Sequence, residues 1–209
     1  MGSITTLVWD VGGVLLTNGW DHEERAEVAG EFGLDLADLN RRHEAVFDGY
    51  EKGRTTLSSY LHDTVFYTPR PFTEEAFRAA IHRRSRPHPE VIELARQYSG
   101  TNRYRMAVLN NEGQEFNEYR IGTFGLAEIF SVFFSSCYTG LRKPEPLAYR
   151  QVVQMLQEPP PSCVFIDDRE ENLVPARHLG MRTIRFEDAS GLERELAQMG
   201  VEPDPSSPS

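Results

Sequence analysis

Apolar residues follow two rhythms along this chain. Ile4 to Trp9 is a short run of Thr, Leu, Val and Trp that stops at Asp10 in front of the turn-forming pair Gly12 and Gly13, the pattern of a buried strand. Further runs of strand length come only much later: Tyr104 to Leu109, Ile129 to Phe134, Cys163 to Ile166 and Thr183 to Phe186. Between them the spacing becomes helical. Val91, Leu94, Ala95 and Tyr98 fall at i, i+3, i+4 and i+7, and Ala148, Val152, Met155 and Leu156 at i, i+4, i+7 and i+8. Pro89 suits a first helical turn, and Gly180 and Gly200 suit helix ends. Strands alternating with helices predict an α/β fold whose open parallel sheet is covered on both faces.

The segment from about Asn18 to Arg86 differs, because no strand pattern is visible in it. Leu36, Leu39, Val46, Phe47 and Tyr50 define an amphipathic helix ending near Gly53. Leu57, Tyr60 and Leu61, then Phe77 and Ala80, suggest two more. The expected division is a discontinuous core of residues 1–17 and 87–200, a helical insertion over 18–86, and a frayed tail over 201–209. Pro69 to Pro71 and Pro159 to Pro161 read as loops.

Composition narrows the partners. With 209 residues, 39% of them apolar, the chain can bury one core plus a modest inserted module. No stretch approaches the roughly 20 apolar residues needed to cross a bilayer, and Leu7 to Leu16 is interrupted by Asp10 and lacks a basic leader. A net charge of −10 argues against nucleic acid, so a phosphorylated ligand would have to be held by local positive charge. Cys137 and Cys163 lie in apolar settings and read as reduced, buried thiols of a cytoplasmic protein. Arg142 lies five residues after Cys137, one short of a Cys-based phosphate loop, and the six histidines show no metal-ligand spacing.

In an open parallel sheet, ligands bind beyond the carboxyl ends of the strands. There the chain places Asp10 after the first strand, Asn110 and Asn111 after the second, Lys143 after the third, and Asp167 with Asp168 after the fourth. The chain has only two lysines, Lys52 and Lys143. Lys143 precedes Pro144, and Pro146 favours a helix start, so its ammonium is expected near an anion-attracting helix N-terminus; the competing reading is a turn lysine. Adjacent aspartates repel unless a cation intervenes. With Asp10 and the carbonyl of Gly12, they offer the hard oxygen ligands magnesium takes from protein; the competing reading is that one of them only caps the helix near Glu170.

Four stretches now stand in order: Trp-Asp-Val-Gly-Gly-Val-Leu-Leu from Trp9, Val-Leu-Asn-Asn from Val108, Gly-Leu-Arg-Lys-Pro-Glu from Gly140, and Phe-Ile-Asp-Asp-Arg-Glu-Glu-Asn-Leu from Phe165. They resemble the four motifs of the haloacid dehalogenase superfamily, subfamily IA, and within it the sugar-phosphatase-like branch that includes the N-terminal phosphatase domain of epoxide hydrolases. Asn172 to Gly180 also resembles that branch. The resemblance implies a Rossmann-like three-layer core with an inserted C1-type helical cap. It further implies a Mg²⁺-dependent phosphatase acting on a small phosphorylated metabolite, such as a sugar phosphate, through an aspartyl-phosphate. Asp10 would be the nucleophile, and Lys143, Asn110 and Asn111 would contact the phosphate. Asp10, Gly12 (through its carbonyl) and Asp168 would hold the metal, with Asp167 behind them.

Two positions depart from the pattern. The usual second aspartate, which protonates the leaving group, is Gly12, and the usual Ser or Thr of the second motif is Asn110. Loss of general acid catalysis lowers turnover by about 10²- to 10⁴-fold without touching nucleophile or metal. Three accounts follow: another residue (Asp21, His22, His43 or Glu112) supplies the acid, the substrate has a good leaving group, or the pocket binds without catalysing. A haloacid dehalogenase would gain nothing from the Asp-Asp pair. A phosphonate-cleaving relative would need a cap lysine, for which only Lys52 is present.

Overall fold

A computed structural model describes residues 3–203. Five strands, β1 (Thr6–Trp9), β2 (Arg105–Asn110), β3 (Val132–Ser135), β4 (Cys163–Asp167) and β5 (Arg182–Arg185), form one sheet in the order β3-β2-β1-β4-β5, with every pair parallel. The helices are α1 (His22–Glu31), α2 (Leu36–Glu51), α3 (Leu57–Thr64), α4 (Glu74–Arg84), α5 (Pro89–Gly100), α6 (Gln114–Thr123), α7 (Ser136–Thr139), α8 (Pro146–Leu156), α9 (Glu170–Leu179) and α10 (Ala189–Gln198).

Both faces of the sheet are apolar, which explains the unbroken hydrophobic runs of its strands. Successive side chains alternate between faces. Leu7, Trp9, Met106, Val108, Val164 and Ile166 pack with α5 and α10 in one cluster. Val8, Ala107, Leu109, Cys163 and Phe165 pack with α8 and α9 in another. The result is the three-layer α/β architecture expected from the alternating pattern.

The chain leaves the sheet layers after β1 and returns at α5. The two crossing strands of chain are tied together: Thr17 N–H donates to Arg86 O at 2.9 Å, and Arg86 N–H donates to Thr17 Oγ1 at 3.0 Å. Between these points lie α1 to α4, packed around Val28, Leu39, Tyr60, Leu61 and Phe77, with Phe116 of α6 completing their cluster. Side-chain caps mark three of these helix starts: Asp35 accepts from Ala37 and Asp38, Thr56 from Ser59, and Thr73 from Ala76.

One boundary is corrected. Val201, expected to begin a frayed tail, is fully buried in the first core cluster, and Glu202 N–H donates to Tyr104 Oη at 3.1 Å. Residues 204–209 of that tail lie outside the described residues. Both prolines-rich stretches are non-helical in the α sense, although Pro160–Ser162 closes a 3₁₀ turn. Among the described residues no helix is long and apolar enough to cross a membrane.

Candidate active site

The register of the sheet builds the site. Trp9 is level with Val108 of β2 and Ile166 of β4, so Asp10 emerges level with Asp167 on one side, while Asn110 ends β2 one residue further along on the other. Asp10 N–H extends the ladder by donating to Ile166 O at 2.9 Å. The turn beyond it is held by Val11 O, which accepts from Leu15 and Leu16, and by Gly13 N–H donating to Leu16 O at 2.7 Å. Gly13 has φ of +77°, and a Cβ there would run into the Asp168 carboxyl group. Glycine at 13 therefore serves both the turn and the close approach of Asp168. Gly12 has no such φ.

Lys143 is the electrostatic centre. Its buried Nζ lies 2.7 Å from Asp10 Oδ1 and 2.7 Å from Asp167 Oδ2. Burial works against the ammonium, but the two carboxylates outweigh it and hold its pKa above the usual range. Asp10 is pushed upward by burial and by Asp167 and Asp168, with Lys143 pulling against them. Asp10 Oδ1 also accepts from Val11 N–H at 2.8 Å; its Oδ2 accepts no hydrogen bond from the described residues.

The two tandem acids differ. Asp167 is completely buried and saturated: Oδ1 accepts from Arg169 N–H and Asn172 Nδ2, and Oδ2 from Lys143 and Asn172. Asp168 Oδ1 is buried with no partner among the described residues, and burial followed by the Asp167 charge raises its pKa. Oxygens of Asp10, Asp167 and Asp168 all lie within 4.8 Å of one another. Three convergent carboxylates with an orphaned oxygen fit the hard, oxygen-ligated site that magnesium prefers.

The motif-two amides behave differently from the expectation that both contact phosphate. Asn110 directs Nδ2 to Asn117 Oδ1 of α6 at 3.0 Å, which occupies one of its two donors. Asn111 is turned to the main chain of Lys143: its Nδ2 donates to Lys143 O at 2.8 Å and its Oδ1 accepts from Lys143 N–H at 2.8 Å. Asn111 thus fixes the lysine backbone, whose bond to Pro144 is cis.

These residues open onto a cavity of about 310 Å³ between the sheet edge and helices α1 and α2. Asp10, Gly12, Asn110, Asn111 and Lys143 line it, as do all four residues considered as substitute acids: Asp21, His22, His43 and Glu112. Asp21 is bound to Arg169 and caps α1. Glu112 is buried and paired with Arg120 at 2.7 Å; burial pushes its pKa up to about 7 against the pull of that guanidinium. Burial and the nearby Arg25 hold His43 down at about 3, so it is neutral.

Sequence reasoning missed the arginines. Arg25, Arg120, Arg142 and Arg169 line the cavity with Lys143, interleaved with the carboxylates of Asp10, Asp21, Glu44, Glu51, Glu112 and Glu171. Arg120, nearly sealed from solvent, also donates to Thr17 O and Asn18 O, where the chain crosses toward α1. Asn172, read only as part of a resembling run, holds Asp167.

Fold and site together define a doubly wound α/β protein with a carboxylate-lysine cluster at the carboxyl edge of its sheet. Residues 4–180 match the family model of haloacid dehalogenase-like hydrolases, and the chain belongs to that family. It is 41% identical over 76 residues to a flavin mononucleotide hydrolase of Arabidopsis thaliana, a match spanning 36% of this chain and 31% of that protein. A sesquiterpene phosphatase of Aspergillus oryzae is 24% identical over 92% of this chain and 94% of its own length. A crystal structure of a family enzyme from Bacteroides thetaiotaomicron, in complex with magnesium and inorganic phosphate, has the same fold (TM-score 0.77, 23% identity, 91% of this chain and 99% of that one).

Proposed function

We propose that this protein is a magnesium-dependent phosphatase for a small phosphorylated metabolite, with α1 to α4 over residues 18–86 acting as the cap on a core of residues 1–17 and 87–200. The observation that carries the reading is Lys143 held 2.7 Å from Asp10 while Asp168 keeps an unpartnered oxygen beside them. Two relatives named as a flavin mononucleotide hydrolase and a sesquiterpene phosphatase support it. A volume of about 310 Å³ suits a small metabolite. Two buried free cysteines suit a reducing, cytoplasmic setting.

In this reading Asp10, Asp168 and the Gly12 carbonyl would hold magnesium, with Asp167 behind them; the ion would neutralise charge on the phosphoryl oxygens. Asp10 Oδ2 attacks phosphorus and the bond to the leaving oxygen breaks, giving an aspartyl-phosphate. Lys143 stabilises the charge spread over the transferring group. Asp167 and Asn172 aim the lysine side chain and Asn111 its backbone. Asn110 retains one free N–H for the phosphate. Glu112 takes the role vacated at Gly12: protonated, it gives its proton to the leaving oxygen, and as carboxylate it then accepts one from the water that releases phosphate.

A second reading, a binding protein without turnover, is favoured by Gly12 and by the engagement of Asn110 with Asn117. Purified protein should release phosphate from sugar, nucleotide and acyl phosphates only when magnesium is supplied, with Asp10→Asn as the blank. Release no faster than that blank would leave the binding reading standing.

A further inference from the structure

The cations around the cavity are neutralised one by one, with a single exception. Arg142 pairs with Glu51 at 2.7 Å, Arg169 with Asp21, Arg120 with Glu112, and Lys143 with Asp10 and Asp167. Arg25 on α1 is only 2% exposed, yet its partners are an amide oxygen, a main-chain carbonyl and an imidazole: Nε donates to Asn40 Oδ1 at 3.0 Å, Nη1 to Trp20 O at 2.9 Å, and Nη2 to His22 Nδ1 at 3.2 Å. Among the described residues, no carboxylate forms an ion pair with it. A guanidinium has five N–H donors, so two remain unused. Burying a cation without a counter-ion is unfavourable unless an anion arrives to meet it.

His43 of α2 stands on the same wall. Trp20 Nε1–H donates to Tyr60 Oη at 2.8 Å, so the tyrosine hydroxyl turns its own proton to His43 Nδ1, 2.7 Å away. That relay leaves the remaining imidazole proton on Nε2. With burial first and then Arg25 keeping the ring neutral, this wall offers N–H donors rather than a second charge.

We propose that Arg25 and His43 form a second anion subsite opposite Asp10 and Lys143, and that the substrate is a small phosphate ester carrying a further anionic group, a carboxylate or a second phosphate. The proposal rests on the phosphatase reading for which group is hydrolysed, but the subsite itself is a matter of binding.

Phenyl phosphate, 4-carboxyphenyl phosphate and the bisphosphate of hydroquinone separate the two. KM should be lower by about tenfold or more for at least one doubly anionic compound than for phenyl phosphate, the worth of one charge-assisted hydrogen bond. The compound preferred tells a carboxylate from a phosphate. Arg25→Gln should bring the ratio close to one, and Arg25→Lys should retain part of it by keeping the charge. If none of the three is hydrolysed the catalytic reading fails alone, and calorimetry of phenylphosphonate against 4-carboxyphenylphosphonate reads the same ratio in binding. A ratio near one in the native protein, or Arg25 variants that weaken all compounds alike, would overturn the subsite.

Discussion

Arg120 reaches from α6 to hold the Glu112 carboxylate at 2.7 Å, and its Nη1 lies 3.8 Å from where a side chain on Gly12 would begin. Under the proposed mechanism, Glu112 is the carboxylate that stands in for the one missing from position 12. Burial lifts Glu112 to about 7. A general acid must enter the reaction protonated, so kcat/KM on alkyl phosphates should fall as pH rises through about 7. Glu112→Gln should lower alkyl-phosphate turnover by about 10²- to 10⁴-fold and aryl-phosphate turnover far less, because an aryl oxide leaves without help. A pH-rate profile measured on both esters checks this; equal losses would assign the Glu112–Arg120 pair to structure alone.

The same carboxyl makes a statement about folding. Its pKa is higher in the folded chain than the ordinary glutamate value, so it contributes stability that is complete below the ordinary value and lost as pH rises through about 7. Urea unfolding of the native chain and Glu112→Gln across this window should show the difference between them growing with pH, in favour of the variant.

Adjacent glycines should respond in opposite ways. A Cβ at Gly12 meets Asn18 Oδ1 at 3.2 Å, a contact that Asn18 can relieve, and the backbone is outside the left-handed region. Gly12→Asp should therefore fold and raise turnover on alkyl more than on aryl phosphates. Gly13→Ala faces both φ of +77° and the Asp168 carboxyl. It should lose magnesium-dependent activity and thermal stability together.

What the chain announced in advance was whatever it built from apolar rhythm. The five strands and the helices α2, α3, α4, α5 and α8 are legible because each buries a hydrophobic stripe. Helices α1 and α6 are not, because their buried faces include Arg25 in one and Asn117 and Arg120 in the other. A buried polar residue breaks the periodic signal, and the helices hardest to read supply two of the arginines that line the cavity. The carboxylates and Lys143 were legible from their place after strands. Asn111's grip on the Lys143 backbone was not, since it depends on a loop conformation 32 residues away.

Lys143→Met removes one ammonium from between two buried carboxylates. Breaking a buried pair from one side costs about 3–5 kcal/mol, because the charges left behind have no solvent to turn to. Urea unfolding without magnesium should show a loss of that order. Added magnesium should recover more stability in the variant than in the native chain, since the ion then offsets the repulsion the lysine had balanced. A variant as stable as the native chain would mean the aspartates are not charged together.

Asp168 is the sharpest test of the metal site, because its contribution to the empty-handed fold runs the other way. Its Oδ1 is buried without a hydrogen bond, and both burial and the neighbouring Asp167 disfavour its charge. Asp168→Asn removes that penalty, so the variant should unfold at the same temperature as the native chain or higher when magnesium is absent. Magnesium at about 100 times its Kd should stabilise the native chain by about 2.7 kcal/mol, on the order of 5–10 °C for a domain of this size. The variant should show little of that shift. A residue kept at a net loss to stability, and repaid only when a cation binds, is a ligand; a variant that is destabilised without magnesium and still shifts fully with it would give Asp168 a role in the fold and none in metal binding.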